Sequence, residues 1–154
     1  MAFANDASGR VRKAARLALN EMGREWVKLL RWTIDEPYPP ASEPGDPPHR
    51  RTRTLQRSMK YKVKPHASNA HDLMIFANPE TFAKYAPNGY DYSYDLEHGR
   101  ANLEPRPYFR VVRKQLQPHL QPWFARLFAQ YLARMEDANP FDSSDNAADF
   151  PAEG

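Results

Sequence analysis

Six prolines fall between Pro37 and Pro48 in the run "PYPPASEPGDPP". Proline has no amide hydrogen to donate, and it pushes the residue before it out of the helical region. No helix or central strand passes through such a run. The chain is therefore divided into a part before Pro37 and a part after Pro48, joined by an irregular connection. With 15 prolines in 154 residues, against a background of about 5%, further irregular connections are expected.

Ahead of the break, Val11, Ala15, Ala18, Met22, Trp26, Leu29 and Leu30 recur at three- and four-residue steps. Arg12, Arg16, Arg24, Lys28 and Arg31 fall largely on other faces. This spacing predicts an amphipathic helix from about Ala7 to Thr33, with Ser8 as its N-cap and Gly23 as a mild weak point. Behind the break, Met59, Tyr61 and Val63 alternate with Lys60, Lys62 and Lys64, which is the period of a half-exposed strand. "SNAHD" reads as a turn and "LMIFA", Leu73 to Ala77, as a buried partner strand, giving a hairpin with one basic face. Residues 78–99 read as a long connection with one helical turn near Thr81 to Tyr85.

The segment "EPRPYFRVVRKQL" opens the last helical region, with Pro107 suited to a first turn. Phe109, Val112 and Leu116 form one apolar stripe, and Leu120, Trp123, Leu127, Phe128 and Tyr131 form another. Pro118 and Pro122 lie between them and should split or kink the helix. The expectation is an α+β fold: a long N-terminal helix, a small antiparallel sheet, and a C-terminal helical pair covering that sheet. It forms a single domain over residues 1–136, followed by an acidic flexible tail at residues 137–154.

Composition narrows the function classes. There is no cysteine, so neither a disulfide frame nor a thiolate metal site is expected. No apolar run approaches the ~20 residues of a membrane span. The opening "MAFANDASGRVRK" lacks the apolar block of a signal peptide, so a soluble chain made in the cytosol is expected. The net charge of +3 hides a segregation. Five of the 19 acids lie from Asp137 onward with no Lys or Arg, leaving 14 acids against 22 basic residues, or +8, on residues 1–136. Such a body meets polyanions or acidic protein surfaces, and the tail reads as a solubilising end or as a screen for that charge.

The densest positive region is "PGDPPHRRTRTLQRSMKYKVK", where Arg50, Arg51, Arg53, Arg57, Lys60, Lys62 and Lys64 come after Asp46 with no further acid. Thr52 to Ser58 fits a short helical turn capped by Thr52 and anchored by Leu55. One reading is a solvated edge that discourages strand pairing. The other is a face presented to phosphates or acidic neighbours, since arginine makes bidentate contacts with either.

Catalytic patterns are not found. His49, His66, His71, His98 and His119 are scattered, without the i, i+4 spacing of a helical metal site. His66 and His71 flank a turn and form the nearest approach to a ligand pair. Glu97 beside His98 suggests a general base, but sequence neighbours usually point apart, which favours a surface or packing role. Gly45, Gly89 and Gly99 are isolated turn glycines rather than a phosphate cradle. The chain reads as a non-enzyme without metal or cofactor.

Four motifs in order resemble those of the neck, or tail-completion, proteins of long-tailed bacteriophages, often described as minor tail components. That family's pattern is a long first helix, a "PG-x-PP" loop, "TG-x-L-x-x-S" entering a strand, "Y-A-x-x-x-E-x-G-T", and "RPFLRPAL" opening the last helices. Here Pro44, Gly45, Pro47 and Pro48 match the loop, and Thr52, Leu55 and Ser58 match the second motif. Tyr92, Glu97 and Gly99 fit the third; Arg106, Pro107, Tyr108, Phe109 and Arg110 fit the fourth. The resemblance covers about residues 8 to 135. Arg53 stands where the family has glycine, which argues against a left-handed backbone there. His98 replaces an aromatic, Arg100 replaces threonine, and Val111 comes after Arg110 where the family has proline and alanine.

The resemblance implies a structural virion protein that forms a homo-oligomeric ring at the head–tail junction. The ring would be a hexamer, with a dodecamer as the alternative. Its partners would be connector or head-completion proteins on one side and tail-terminator or tail-tube proteins on the other. Double-stranded DNA would pass through, contacted without regard to sequence, and assembly would occur in the host cytoplasm. The tyrosine-rich and proline-rich loops are the expected sticky faces. The competing reading is a free-standing, non-specific nucleic-acid-binding protein that uses the basic strip of residues 50–64.

Overall fold

The computed structural model describes residues 2–66 and 70–137. The tail expected beyond Asp137, and Ser68 and Asn69 of the "SNAHD" turn, lie outside them, while His71 and Asp72, expected in that turn, open a strand instead. The fold is α+β, with a long first helix, a two-stranded antiparallel sheet and a C-terminal helical pair.

Helix α1, Ala2–Thr33, begins earlier than the periodicity predicts. Ser8 is not its N-cap but an interior residue, whose carbonyl accepts from Arg12 Nε at 3.3 Å. The alanines ahead of Ser8 favour helix enough to carry it through. The buried stripe is Ala14, Ala18, Met22, Trp26, Val27 and Leu30, with Ile34 just beyond the end. Val11 is instead 44% exposed, and Ala15 and Leu29 are only half-buried. A strict i, i+4 row is narrow enough to fit between the sheet on one side and the last helices on the other.

Helix α2, Thr54–Ser58, leads directly into strand β1, Met59–Pro65, which pairs with β2, His71–Ala77, in register from Met59↔Ala77 to Pro65↔His71. Met59, Tyr61 and Val63 face α1, while Lys60, Lys62 and Lys64 point outward, as their alternation requires. Strand β2 is not wholly buried. Met74 is 42% exposed and Asp72 lies in solvent, opposite Lys62 and Lys64. The apolar run in β2 has a half-wet sheet face behind it because α1 packs against the other side.

Gly23 has a role that helix propensity alone mistakes for weakness. A Cβ placed there would sit 2.4 Å from the Tyr61 ring. The absent side chain lets β1 lie directly against the helix backbone.

Residues 78–99 are more ordered than a connection. Helix α3, Pro79–Tyr85, is capped by Asn78, whose side chain accepts from the Glu80 amide at 3.2 Å. Next come a 3-10 turn at Pro87–Gly89 and helix α4, Ser93–His98. Helix α5, Phe109–Leu116, starts after Pro107 rather than at it, with Tyr108 as its N-cap. A 3-10 turn at Gln117–His119 contains Pro118, and helix α6, Leu120–Asp137, carries Pro122 in its first turn. The expected break is therefore present. Both helices lie along α1 rather than over the sheet: Val112 joins Trp26, Val27 and Leu30, and Leu127 joins Ala18 and Met22.

Candidate functional site

The site is built by three loops that meet at the C-terminal end of α1. In the proline loop, Pro37 bridges Arg50, with the Tyr38 amide donating to the Arg50 carbonyl at 3.1 Å. Gly45 has φ +91°, a left-handed turn that suits glycine, and its amide donates to the Pro105 carbonyl at 2.9 Å. Arg106 donates to both the carbonyl and the hydroxyl of Ser42. The loop is thereby pinned to the segment that opens α5.

That segment is organised by Glu97, which is 6% exposed. One carboxylate oxygen accepts from the amides of Tyr108 at 3.0 Å and Phe109 at 2.9 Å. The other accepts from the Arg110 amide at 2.9 Å and from Arg110 Nε at 3.1 Å. The first turn of a helix leaves its amides unpaired, and a carboxylate is the best acceptor for them. Glu97 therefore acts as a remote cap for α5. Gly99, φ +81°, approaches so closely that a Cβ would meet the Leu103 carbonyl oxygen at 2.9 Å. Pro44, Gly45, Glu97, Gly99, Arg106, Pro107 and Phe109, which belong to three separate motifs, thus fall in one knot. Tyr92 stands edge-on to Phe82 with ring centroids 5.0 Å apart.

The second motif is arranged differently from its expected cap. Thr52 does not cap α2; its hydroxyl donates to Thr54 Oγ1 at 3.0 Å. The residue at the cap position is Arg53, at φ 43°, ψ 0°. A left-handed backbone is present after all, because the turn between the proline loop and α2 demands it. Leu55 is buried, as expected for an anchor, and the Ser58 hydroxyl donates to the Leu55 carbonyl at 2.7 Å.

The basic strip does not form one uniform face. Arg50 is engaged, donating to Asp35 Oδ1 at 2.5 Å, while Gln56 Nε2 donates to the same oxygen at 2.7 Å. These bonds, Gln56's first among them, hold the Asp35 carboxyl below the usual aspartate range. The Arg51 guanidinium lies 5.4 Å from the Tyr38 ring centre, and that of Arg57 lies 5.3 Å from Tyr85. Arg53, Arg57 and Lys60 border an open concavity of about 730 Å³ together with Arg31, Trp32 and Tyr85. Lys62 and Lys64 continue along β1 away from it.

Sequence reasoning missed Arg31, Trp32 and Tyr85 as parts of this surface. Trp32 is 76% exposed at the end of α1, off the apolar stripe, and that position is the signal that marks it out. Between the proline loop and residues 87–103 lies a second cleft of about 720 Å³, walled by Ile34, Tyr38, Leu55, Tyr90, Tyr92 and Leu96.

His66 Nδ1 faces Asp72 at 2.9 Å, His98 stacks on Tyr94, and no group of three or more metal-binding side chains occurs among the described residues. The Tyr108 phenol is pushed above the usual tyrosine range by burial, and next by the charge of Glu97. It stays a neutral packing group. Comparison of the chain with protein-family models, curated proteins and solved structures finds no match.

Proposed function

We propose that this chain is an architectural subunit of the neck of a long-tailed bacteriophage, forming a ring at the head–tail junction that joins connector to tail tube and lets DNA pass. In this reading it makes and breaks no bond of its own. The observation that carries it is the exposed aromatic set around the loop-built end: Trp32 at 76%, Tyr94 at 68%, Tyr90 at 50%, and Tyr38 and Tyr85 at 47%. Cations lie over three of these rings, Arg51 on Tyr38, Arg57 on Tyr85 and Arg100 on Tyr90. Tyrosine, tryptophan and arginine are the residues that dominate protein interfaces. A ring needs two different faces on each subunit, and the basic concavity and the tyrosine-walled cleft are two such faces.

Two further features support the resemblance. The motif residues of the first, third and fourth motifs interlock through Glu97, Gly45 and Arg106. Arg53, where the family has glycine, has a left-handed backbone of the kind glycine supplies.

The test is assembly. Mixed with connector and tail-tube components, the chain should form closed rings of six copies by mass photometry and negative-stain imaging, with twelve as the alternative count. Lys60, Lys62 and Lys64, side by side on an open sheet face, favour the second reading, a sequence-independent nucleic-acid binder. A chain that stays monomeric beside those components, yet binds duplex DNA with a log–log salt slope of about −0.9 per phosphate neutralised, would replace the neck reading with that one.

A further inference from the structure

We propose that the concavity at the end of α1, together with the outer face of the hairpin, binds single-stranded nucleic acid. Bases stack on Trp32 and Tyr85, and phosphates are held by Arg53, Arg57, Lys60, Lys62 and Lys64. The inference stands whether or not the neck reading does, and it differs from the duplex-binding reading in requiring unpaired bases.

Charge sets the class of ligand. The concavity brings five cations, Arg31, Arg50, Arg53, Arg57 and Lys60, around one carboxylate, Asp35. Asp35 already accepts hydrogen bonds from Arg50 and Gln56. Arg31 is turned to the carbonyls of Gln56 and Met59, both at 3.1 Å. Among the described residues, no ion pair engages Arg53, Arg57, Lys60, Lys62 or Lys64, and all five are exposed. The complement of such a surface is a polyanion.

The rings narrow that class. Trp32, 76% exposed, and Tyr85, 47% exposed, stand on the walls of the same concavity. Arg57 lies 5.3 Å and Lys84 5.1 Å from the Tyr85 ring centre, which puts positive charge within reach of the phosphate of a base lying there. In a duplex each base is covered by its neighbours and shows only its edge. In a single strand the ring faces are free to stack on aromatic side chains. Carboxylates of an acidic protein would satisfy the cations but give Trp32 and Tyr85 nothing to stack on.

The hairpin extends the track. Lys60 borders the concavity and also begins the outward row of β1. Lys60, Lys62 and Lys64 repeat every ~6.8 Å, the rise of two antiparallel residues, close to the separation of neighbouring phosphates along an extended strand. Their cross-strand partners, on the same face, are Phe76, Met74 and Asp72. Met74 is 42% exposed and Phe76 half-buried, so apolar surface lies beside two of the three lysines. Asp72, paired with His66 at 2.9 Å, marks the far end of the track. Two stacked bases and three strand phosphates make a site of about five nucleotides, within the range of single-strand sites.

The experiment is anisotropy titration of a fluorescein-labelled oligothymidine of about a dozen nucleotides with the chain at low salt. It should bind several-fold tighter than a blunt duplex of the same length. Oligouridine should behave alike, since neither stacking nor phosphate contact uses the 2′-hydroxyl. The log–log salt slope for five cations should be about −3.5, at ~0.7 per phosphate for a single strand. Lys62→Ala with Lys64→Ala should make it shallower by about 1.4. Trp32→Ala, at an exposed position that leaves the packed body untouched, should weaken binding about tenfold at unchanged slope. Wild-type affinity in Trp32→Ala would overturn the proposal, as would a duplex bound equally tightly. Polyglutamate of matched charge competing as well as unlabelled oligothymidine would overturn it too, by assigning the surface to acidic proteins.

Discussion

The two ends of the molecule are held by different forces. Around the middle of α1 the hairpin and the last helices meet through apolar side chains: Ala18, Met22, Leu30, Met59 and Val112 are all nearly or fully buried. At the loop-built end Ile34, Leu55, Phe82 and Tyr108 are also buried, but the loops themselves are fixed by directional bonds. Glu97 accepts from three backbone amides, Gly45 donates to Pro105, and Arg106 donates to Ser42. Burial is non-directional and tolerates adjustment, whereas a buried carboxylate works only where its donors stand. The packed end therefore supplies stability, and the bonded end supplies a shaped surface on which aromatic rings are left in water.

The strongest way to break this comparison is through the residue that joins the two ends. Phe82, fully buried, packs edge-on to Tyr92, and Phe82→Ala should cost about 3–5 kcal/mol in urea unfolding. A loss under about 1 kcal/mol would mean that α3 is not part of the core. Glu97→Ala should cost about 2–3 kcal/mol, because it strands buried donors. It should do so with little loss of helical circular dichroism and, on the proposed neck reading, a loss of the proposed ring assembly. If assembly survived, Glu97 would not be what orders the surface.

Gly23→Ala should cost about 1–3 kcal/mol by forcing the Tyr61 ring away from α1, and it should leave assembly intact when the protein is folded. Alkaline titration gives a smaller effect. Tyr108 is held above its usual range in the fold, so the unfolded chain loses its phenolic proton first. Stability is intact below the unfolded tyrosine pKa of about 10 and falls as pH rises from there. Tyr108→Phe should make that decline shallower without removing it. Tyr90, bonded to Asp95, and Tyr131, bonded to Glu21, are shifted the same way. The smallest change in stability, within about 0.5 kcal/mol, is expected for Arg57→Ala, which should nonetheless weaken assembly. Arg50 is the wrong residue for that test, since its bond to Asp35 ties the proline loop to the end of α1.

The packed end was legible because periodicity reports burial. Ala18, Met22, Trp26 and Leu30 of α1, the Lys alternation of β1 and the break at Pro118 between α5 and α6 appear where the pattern predicts, whereas Val11, Ala15 and Leu29 do not join the buried row. The bonded end was not legible in that way. Glu97 beside His98 carries no periodic signal, and its amide partners lie 11 to 13 residues further on. The motif resemblance singled out Gly45, Glu97 and Arg106 as members of three separate motifs, but gave no sign that those segments meet or of the bonds that join them.

By itself, the sequence determined the break at Pro37, the helix before it, the basic alternating strand and the segregation of charge, because each arises from backbone chemistry or from side-chain period. Only the tertiary structure decided that Gly23 is a contact point, that Arg53 takes a left-handed turn, and that Arg31, Trp32 and Tyr85 border the same concavity as Arg53, Arg57 and Lys60. Those facts depend on distances between elements far apart in the chain, and local pattern holds no record of them.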